Sequence, residues 1–188
     1  MKSKEELRAE KIKERKNLPK PVVLEKSLVI QKFFLSSKMY ECAKVIMAYM
    51  PVSNEVGTED IIKSAQNKGK RVALPVTDPK TKEIAPYLAF KDTVFKKGAF
   101  GISEPLETEK EEISKVDVVL VPGVVFDKNG ERIGFGAGCY DRLLKDFKGV
   151  KIGICYDFQI DEDIPSQDHD ARMDFLISES GIYKCPSE

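Results

Sequence analysis

The sequence offers no apolar run near the roughly 20 residues that a membrane-spanning helix requires, and no engagement with a membrane is expected. Net charge is absent as well. The 31 lysines and arginines balance 31 aspartates and glutamates, so no overall field draws in nucleic acid, and any anion site has to be local. The first residues are charged where a secretory signal would place its apolar segment, so a cytoplasmic location is expected. Four cysteines, Cys42, Cys139, Cys155 and Cys185, stand far apart with no Cys-x-x-Cys pair. That distribution suits reduced thiols in or near a core better than disulfides or a zinc site. Histidine occurs once, at His169; a lone histidine is more often a satisfied structural residue than a base or ligand, and it is given no catalytic role. No internal repeat, low-complexity segment or dividing linker interrupts the 188 residues, so one domain spanning residues 1–188 is expected.

What is present is an alternation of helix and strand signals. Residues 3–18 hold helix formers with Leu7 and Ile12 as sparse apolar points and Pro19 and Pro21 behind them, which predicts a mostly exposed helix. In residues 23–37, Leu24, Leu28, Gln31, Phe34 and Leu35 recur at spacings of three and four, predicting an amphipathic helix packed through that stripe. The run KVIMAYM, residues 44–50, reads as a strand stopped by Pro51; Thr58, Glu59 and Asp60 then read as the capped start of a helix that Gly69 ends. RVALPV at 71–76 and residues 84–90 are strand candidates on either side of the turn residues Asp78, Pro79, Lys80 and Thr81. VDVVLV at 116–121 and VKIGICY at 150–156 are short and nearly all apolar, as in strands buried on both faces of a parallel sheet, with a helix at 141–147 between them. The expected fold is α/β, a three-layer domain with a mainly parallel central sheet and helices on both faces, whose ligands sit beyond the carboxyl ends of the strands.

The stretch RIGFGAGCYD, residues 132–141, sets Gly134, Gly136 and Gly138 at every second position between a turn at 127–130 and a helix beginning near Tyr140. Glycines there can adopt positive φ and let backbone N–H groups approach a phosphate, toward which the following helix turns its positive end. Arg132 adds a planar charge that can grip phosphate oxygens through two N–H groups, and Asp141 can hold a magnesium ion bridging those oxygens. The spacing is neither that of a dinucleotide fingerprint nor that of a GxxxxGK[ST] loop, and a glycine-rich bend is also a common plain turn.

The segment PGVVFDKNGERIGFGAGCYDRLL, residues 122–144, resembles the 5-formyltetrahydrofolate cyclo-ligase family, whose pattern runs PGxxFDxxGxRxGxGxGYYDR. The resemblance continues at Lys4 and Arg8, in PVSNEVGT at 51–58, in FGISEP at 100–105 and in IPSQDHDARMD at 164–174. Within the glycine segment two positions depart from it: Ala137 stands where many members carry lysine, and Cys139 where the first of two tyrosines is usual. The resemblance implies an ATP-dependent ligase that joins nitrogen 10 of 5-formyltetrahydrofolate to its formyl carbon, with ATP as co-substrate and Mg2+ as the metal. It implies ATP binding by Lys4, Glu5, Glu6, Leu7 and Arg8 and by Arg132, Ile133, Gly134, Phe135, Gly136, Ala137, Gly138, Cys139 and Tyr140. For the folate it implies Met50, Glu55 and Phe135 to Cys139; for magnesium, Asp141 and Asp170; for catalysis, Arg132, Tyr140 and Asp141. A carboxylate such as Glu55 can accept the adjacent N–H donors of a pterin edge together, and Met50 offers a polarizable surface to the ring. Asp174, four residues after Asp170, is expected to orient the loop. Small-molecule substrates and a monomer are expected.

Two other readings compete. A non-catalytic nucleotide-binding or regulatory module is motivated by Ala137 and Cys139, and an enzyme of sugar phosphates or acyl-CoA by the breadth of chemistries that α/β layers host.

Overall fold

A computed structural model describes residues 2–167 and 170–186. The chain runs α1 (Lys4–Lys16), α2 (Lys20–Leu35), α3 (Lys38–Cys42), β1 (Val45–Met47), α4 (Glu59–Asn67), β2 (Arg71–Thr77), β3 (Ile84–Leu88), β4 (Phe95–Lys97), β5 (Ser103–Pro105), β6 (Val118–Val121), β7 (Val125–Asp127), β8 (Arg132–Ile133), α5 (Cys139–Leu144), β9 (Val150–Ile154), β10 (Ile160–Asp161), β11 (Phe175–Ser178) and β12 (Gly181–Lys184). The main sheet has the order β12-β11-β9-β6-β1-β2-β3. Its five inner strands are parallel, and antiparallel β12 and β3 close the two edges.

Strand alternation sends successive side chains to opposite faces, and the burial follows it. Ile46, Val72, Leu74, Val118, Leu120 and Ile152 pack with Ile30 and Phe34 of α2, Tyr40 of α3 and Ile61 and Ala65 of α4. Val45, Met47, Ala73, Val119 and Val121 face the other way, onto Leu144 of α5 and Phe126 of β7. The expected three-layer α/β architecture with a mainly parallel sheet is therefore present. On the second face a small sheet, β10-β7-β8, shares the cover with α5. The β7–β8 hairpin turns at 127–130, where buried Asp127 accepts the N–H groups of Asn129 and Glu131 at 2.9 and 3.0 Å.

Two helices differ from the sequence reading in how they lie. Helix α2 begins earlier, at Lys20, because Pro21 falls in its first turn, where a proline's missing N–H removes no helical bond. Its buried stripe is Ser27, Ile30, Gln31 and Phe34, whereas Leu24 and Leu28 of the expected stripe are 63% and 39% exposed. Polar partners set this phase. Gln31 Oε1 accepts the N–H groups of Asp60 and Ile61 at 2.9 and 3.2 Å, and Ser27 Oγ accepts that of Gly57 at 2.9 Å. Gln31 thus caps α4 from a neighbouring helix, while Thr58, the expected cap, spends its hydroxyl on Tyr49 O at 2.6 Å. Gln31→Leu keeps the volume but orphans those N–H groups, so a loss of about 1–3 kcal/mol is expected. Urea unfolding would read it as a lower midpoint at an unchanged m value.

Helix α1 is anchored more deeply than an exposed helix would be. Leu7 packs with Val124, Val125, Ile133 and Ile164, and Arg15, near its end, is only 2% exposed.

Candidate active site

The chain leaves β1 for β2 on one side of the sheet, and β6 lies on β1's other side. Strand order reverses there, and the crevice beyond the carboxyl ends of such a pair is where open α/β sheets bind ligands. Met50 and Glu55 follow β1, and Gly123 follows β6, so the topology itself brings the expected folate residues to this crevice.

The glycine bend lies between β8 and α5, and Phe135 and Gly136 on it are exposed. Gly136 has φ +99° and Gly138, the N-cap of α5, φ +65°. Gly134 does not have a positive φ; its bareness serves a close approach, since a Cβ there would lie 2.6 Å from Arg132 Nη1. Helix α5 is only six residues long, so fixed cations contribute more to an anion site here than its dipole does.

Those cations come from two elements. Arg132 Nη2 donates to Asp141 Oδ1 at 2.6 Å, and Arg8 Nε reaches across from α1 to Gly134 O at 2.8 Å. Lys4, one turn before Arg8, pairs with Asp170 at 2.6 Å. The i, i+4 spacing puts Lys4 and Arg8 on one face of the helix. The intervening residues go elsewhere: Leu7 into the core, Glu6 into a capping box with Ser3, and Glu5 to solvent beside Arg8 at 3.8 Å. Ala171 N–H donates to Asp141 Oδ1 at 3.3 Å, which brings the two proposed metal ligands, Asp141 and Asp170, to the same end of the molecule. Among the described residues no three His, Cys, Asp or Glu side chains form a metal cage. His169 lies outside the described residues. Asp174 Oδ2 accepts Lys151 N–H at 2.7 Å and so ties its loop to β9.

Beneath the bend lies a polar cluster that is almost sealed from water. Glu55 is 6% exposed; its Oε2 accepts Val52 N–H at 3.0 Å, and its Oε1 lies 3.8 Å from Arg15 Nη2. Burial pushes the Glu55 carboxyl above the usual range, opposed by the Val52 N–H and by Arg15. Tyr140 is likewise pushed well up by burial, then by Glu55, and stays a neutral phenol. Arg15 Nη2, Arg132 Nε and Tyr140 Oη are buried with no hydrogen-bond partner among the described residues. Buried polar atoms are nearly always paired; Thr108 Oγ1, Glu111 Oε2 and Tyr156 Oη also lack a hydrogen bond among the described residues, and the three grouped here are available to a ligand's own polar groups. Met50 is half-buried at the edge of the core, Ile133 is packed inside it, and Ala137 and Cys139 are partly exposed on the bend. A separate groove of about 560 Å³, lined by Ile84, Ile113, Arg142, Leu143 and Phe147 among others, does not include the bend.

Sequence reasoning missed Arg15 and Asn54. Asn54, with φ +59°, donates Nδ2 to the carbonyls of Arg15 and Leu18, both at 3.1 Å, and so closes the end of α1. The PVSNEVGT match pointed at this loop, but nothing in the helix pattern singled out Arg15 among its charged neighbours.

A doubly covered parallel sheet with an arginine-flanked glycine bend and a buried carboxylate at its switch point defines an α/β protein of the anion- and small-molecule-binding kind. The 5-formyltetrahydrofolate cyclo-ligase family model matches residues 1–179, and the chain belongs to that family. It is 34% identical over 142 residues to the 5-formyltetrahydrofolate cyclo-ligase of Haemophilus influenzae, covering 72% of this chain and 76% of the relative. With the enzyme of the same name from Mycolicibacterium smegmatis it shares 28% over 183 residues, 94% of this chain and 93% of the relative. The solved 5,10-methenyltetrahydrofolate synthetase of Aquifex aeolicus superposes with TM-score 0.88 at 34% identity, covering 98% of this chain and 94% of that one. That of Mycoplasma pneumoniae gives 0.77 at 28%, covering 95% and 99%.

Proposed function

We propose that this chain closes 5-formyltetrahydrofolate to 5,10-methenyltetrahydrofolate while converting ATP to ADP and phosphate. The observation that carries the reading is the meeting of Arg8, Arg132 and a solvent-open glycine bend directly above the buried Glu55 cluster. The named relatives are described as ligases or synthetases, and none supports a non-catalytic module.

The chemical obstacle is an unreactive formamide. Its oxygen takes the γ-phosphoryl group, ADP leaves, and the formyl carbon becomes an iminium carbon carrying a phosphate leaving group. Nitrogen 10 of the same molecule attacks that carbon, phosphate departs, and the nitrogen loses its proton. Ring closure gains from proximity, and phosphoryl transfer needs positioning and charge neutralisation more than a protein nucleophile. Arg8 and Arg132 supply the charge, amides 134–138 the close donors, and Lys4 a further cation at the same end. Tyr140, neutral and with its hydroxyl unpaired among the described residues, is a donor for a reacting oxygen. Glu55 takes the pterin edge, with Met50 against the ring.

Magnesium is usually held by one or two carboxylates completed by phosphate oxygens and water, and Asp141 with Asp170 fits that donor set. Bound there, it would neutralise charge on the phosphates. The residues' own part is to hold the carboxylates in place: Arg132 and Ala171 N–H orient Asp141, while Lys4 and Gln167 N–H orient Asp170, the last at 2.9 Å.

The test is incubation of the purified protein with 5-formyltetrahydrofolate, ATP and magnesium, following methenyl product and ADP together. Folded protein that yields neither would end the reading. Asp141→Asn is expected to lower kcat by about 10–100-fold, as changes around a metal site commonly do, with the folate KM little altered.

A further inference from the structure

We propose that Arg15 is a positioning residue for the folate, acting through the carboxylate of Glu55, at which carbonyls on the two sides of the switch-point crevice aim its Nη2. The inference rests on the reading above and adds a residue that the glycine and acidic motifs do not contain.

Arg15 joins parts of the chain that the sheet topology brings together. Its Nε donates to Ser53 O, in the loop after β1, at 3.1 Å, and its Nη1 donates to Gly123 O, in the corner after β6, also at 3.1 Å. These are the two strand ends that border the crevice. The guanidinium carbon lies 5.3 Å from the ring centroid of Phe135, so the exposed aromatic of the glycine bend rests over the same group. Nη2 remains, buried, without a hydrogen bond among the described residues, and 3.8 Å from Glu55 Oε1.

A surface arginine does none of this. A guanidinium is a rigid planar fork, so fixing Nε and Nη1 on two backbone carbonyls fixes the aim of Nη2 as well. That aim is toward the carboxylate proposed to take the pterin edge. Glu55 can accept two N–H donors only as a carboxylate, and burial works against that form. Arg15 is the cation that favours it: burial lowers the guanidinium's own pKa, and Glu55 is first among the groups opposing that shift. The remaining groups coupled to this pair are phenols, Tyr49 after β1, Tyr140 on α5 and Tyr156 after β9, each pushed upward by burial and neutral. Arg15 is thus the only positive charge coupled to Glu55 among the groups that shift its ionisation.

The experiment is a double-mutant cycle read by calorimetric binding rather than turnover. The wild-type chain, Arg15→Met, Glu55→Gln and the double variant are titrated with 5-formyltetrahydrofolate and, separately, with ATP. Arg15→Met keeps the apolar stem and is expected to weaken folate binding about tenfold, with ATP binding within about twofold. In the Glu55→Gln background the same change is expected to weaken folate binding by no more than about twofold, because the residue it acts through is already gone. Equal losses in both backgrounds, an unchanged folate Kd, or parallel losses for folate and ATP would each overturn the proposal. If thermal melting shows Arg15→Met unfolded, Arg15→Lys carries the cycle. Its single ammonium cannot hold both carbonyls and face Glu55, so a folate loss of about threefold that vanishes in Glu55→Gln is expected, and a loss that persists there overturns the inference. A wild-type chain that binds folate without turning it over would defeat the catalytic reading and leave the cycle informative; one that binds no folate would overturn both.

Discussion

Arg132→Ala is expected to lower turnover with ATP by about 10²–10³-fold, the loss typical when one pre-organised donor to developing charge is removed. Arg132 is 7% exposed and lies between three demands. Its Nη2 holds Asp141 at 2.6 Å, its guanidinium carbon stands 6.0 Å from the Tyr140 ring centroid, and its Nε is buried without a partner among the described residues. The bend leaves room for it, since a Cβ at Gly134 would lie 2.6 Å from Nη1 and would push the guanidinium aside. Truncation therefore removes a cation from the proposed phosphate site and frees Asp141 at once, an effect expected on the transition state more than on folate binding. Arg132→Lys should recover only part of the rate, because an ammonium cannot grip a phosphate through two N–H groups while holding Asp141. Steady-state kinetics for both substrates, with a melting curve to establish folding, tests this. A kcat/KM within about threefold of wild type would show that Arg132 does not act on the phosphates.

Glu55→Ala should raise the folate KM by about 100-fold, in line with the cost of truncating one member of a buried hydrogen-bonded charge pair, with kcat at saturating folate far less affected. The same residue sets a pH dependence whose sign follows from its burial. As pH falls through the raised pKa of Glu55, the carboxylate gains a proton and loses the ability to accept two N–H donors. The folate KM of the wild-type enzyme should therefore rise toward acid, starting at a higher pH than an ordinary glutamate would give. Tyr49, Tyr140 and Tyr156 stay neutral throughout that range and Arg15 stays charged, so none of these four produces the limb. Glu55→Gln should bind folate more weakly at neutral pH and show no such limb. An acid limb surviving in Glu55→Gln would assign the titration to another group, the substrate included.

Some of this site could be read directly along the chain. Glycines at 134, 136 and 138, an arginine before them and an aspartate after them are neighbours in sequence, and the backbone geometry they permit is a local property. The turn at 127–130 was equally legible, because the Asp127 carboxylate bonds to N–H groups two and four residues away. Less of the N-terminal helix could be read. The resemblance rested on Lys4 and Arg8 and implied ATP binding by the whole run 4–8, but a helix presents neighbours in different directions. Lys4 and Arg8 reach the bend and Asp170, while Glu6 and Leu7 serve the cap and the core.

Spacing of apolar and glycine residues, then, was enough for the alternation of strands and helices and for the glycine bend, because each rests on interactions within a few residues, while nearly continuous apolar runs marked the strands that the sheet buries on both faces. The phase of α2 and the burial of Arg15 were settled by partners far away in sequence. Leu24 and Leu28 fit the helical period as well as Ile30 and Phe34 do, and the choice fell to polar contacts of Ser27 and Gln31 with residues about 30 positions on. Arg15 is one of several cations on a charged helix until Gly123, 108 residues later, is folded against it and the cleft between β1 and β6 encloses its charge. A side chain's chemical character belongs to the chain, but its solvation, and with it the pKa of Glu55 and the role of Arg15, exists only once the strands have met.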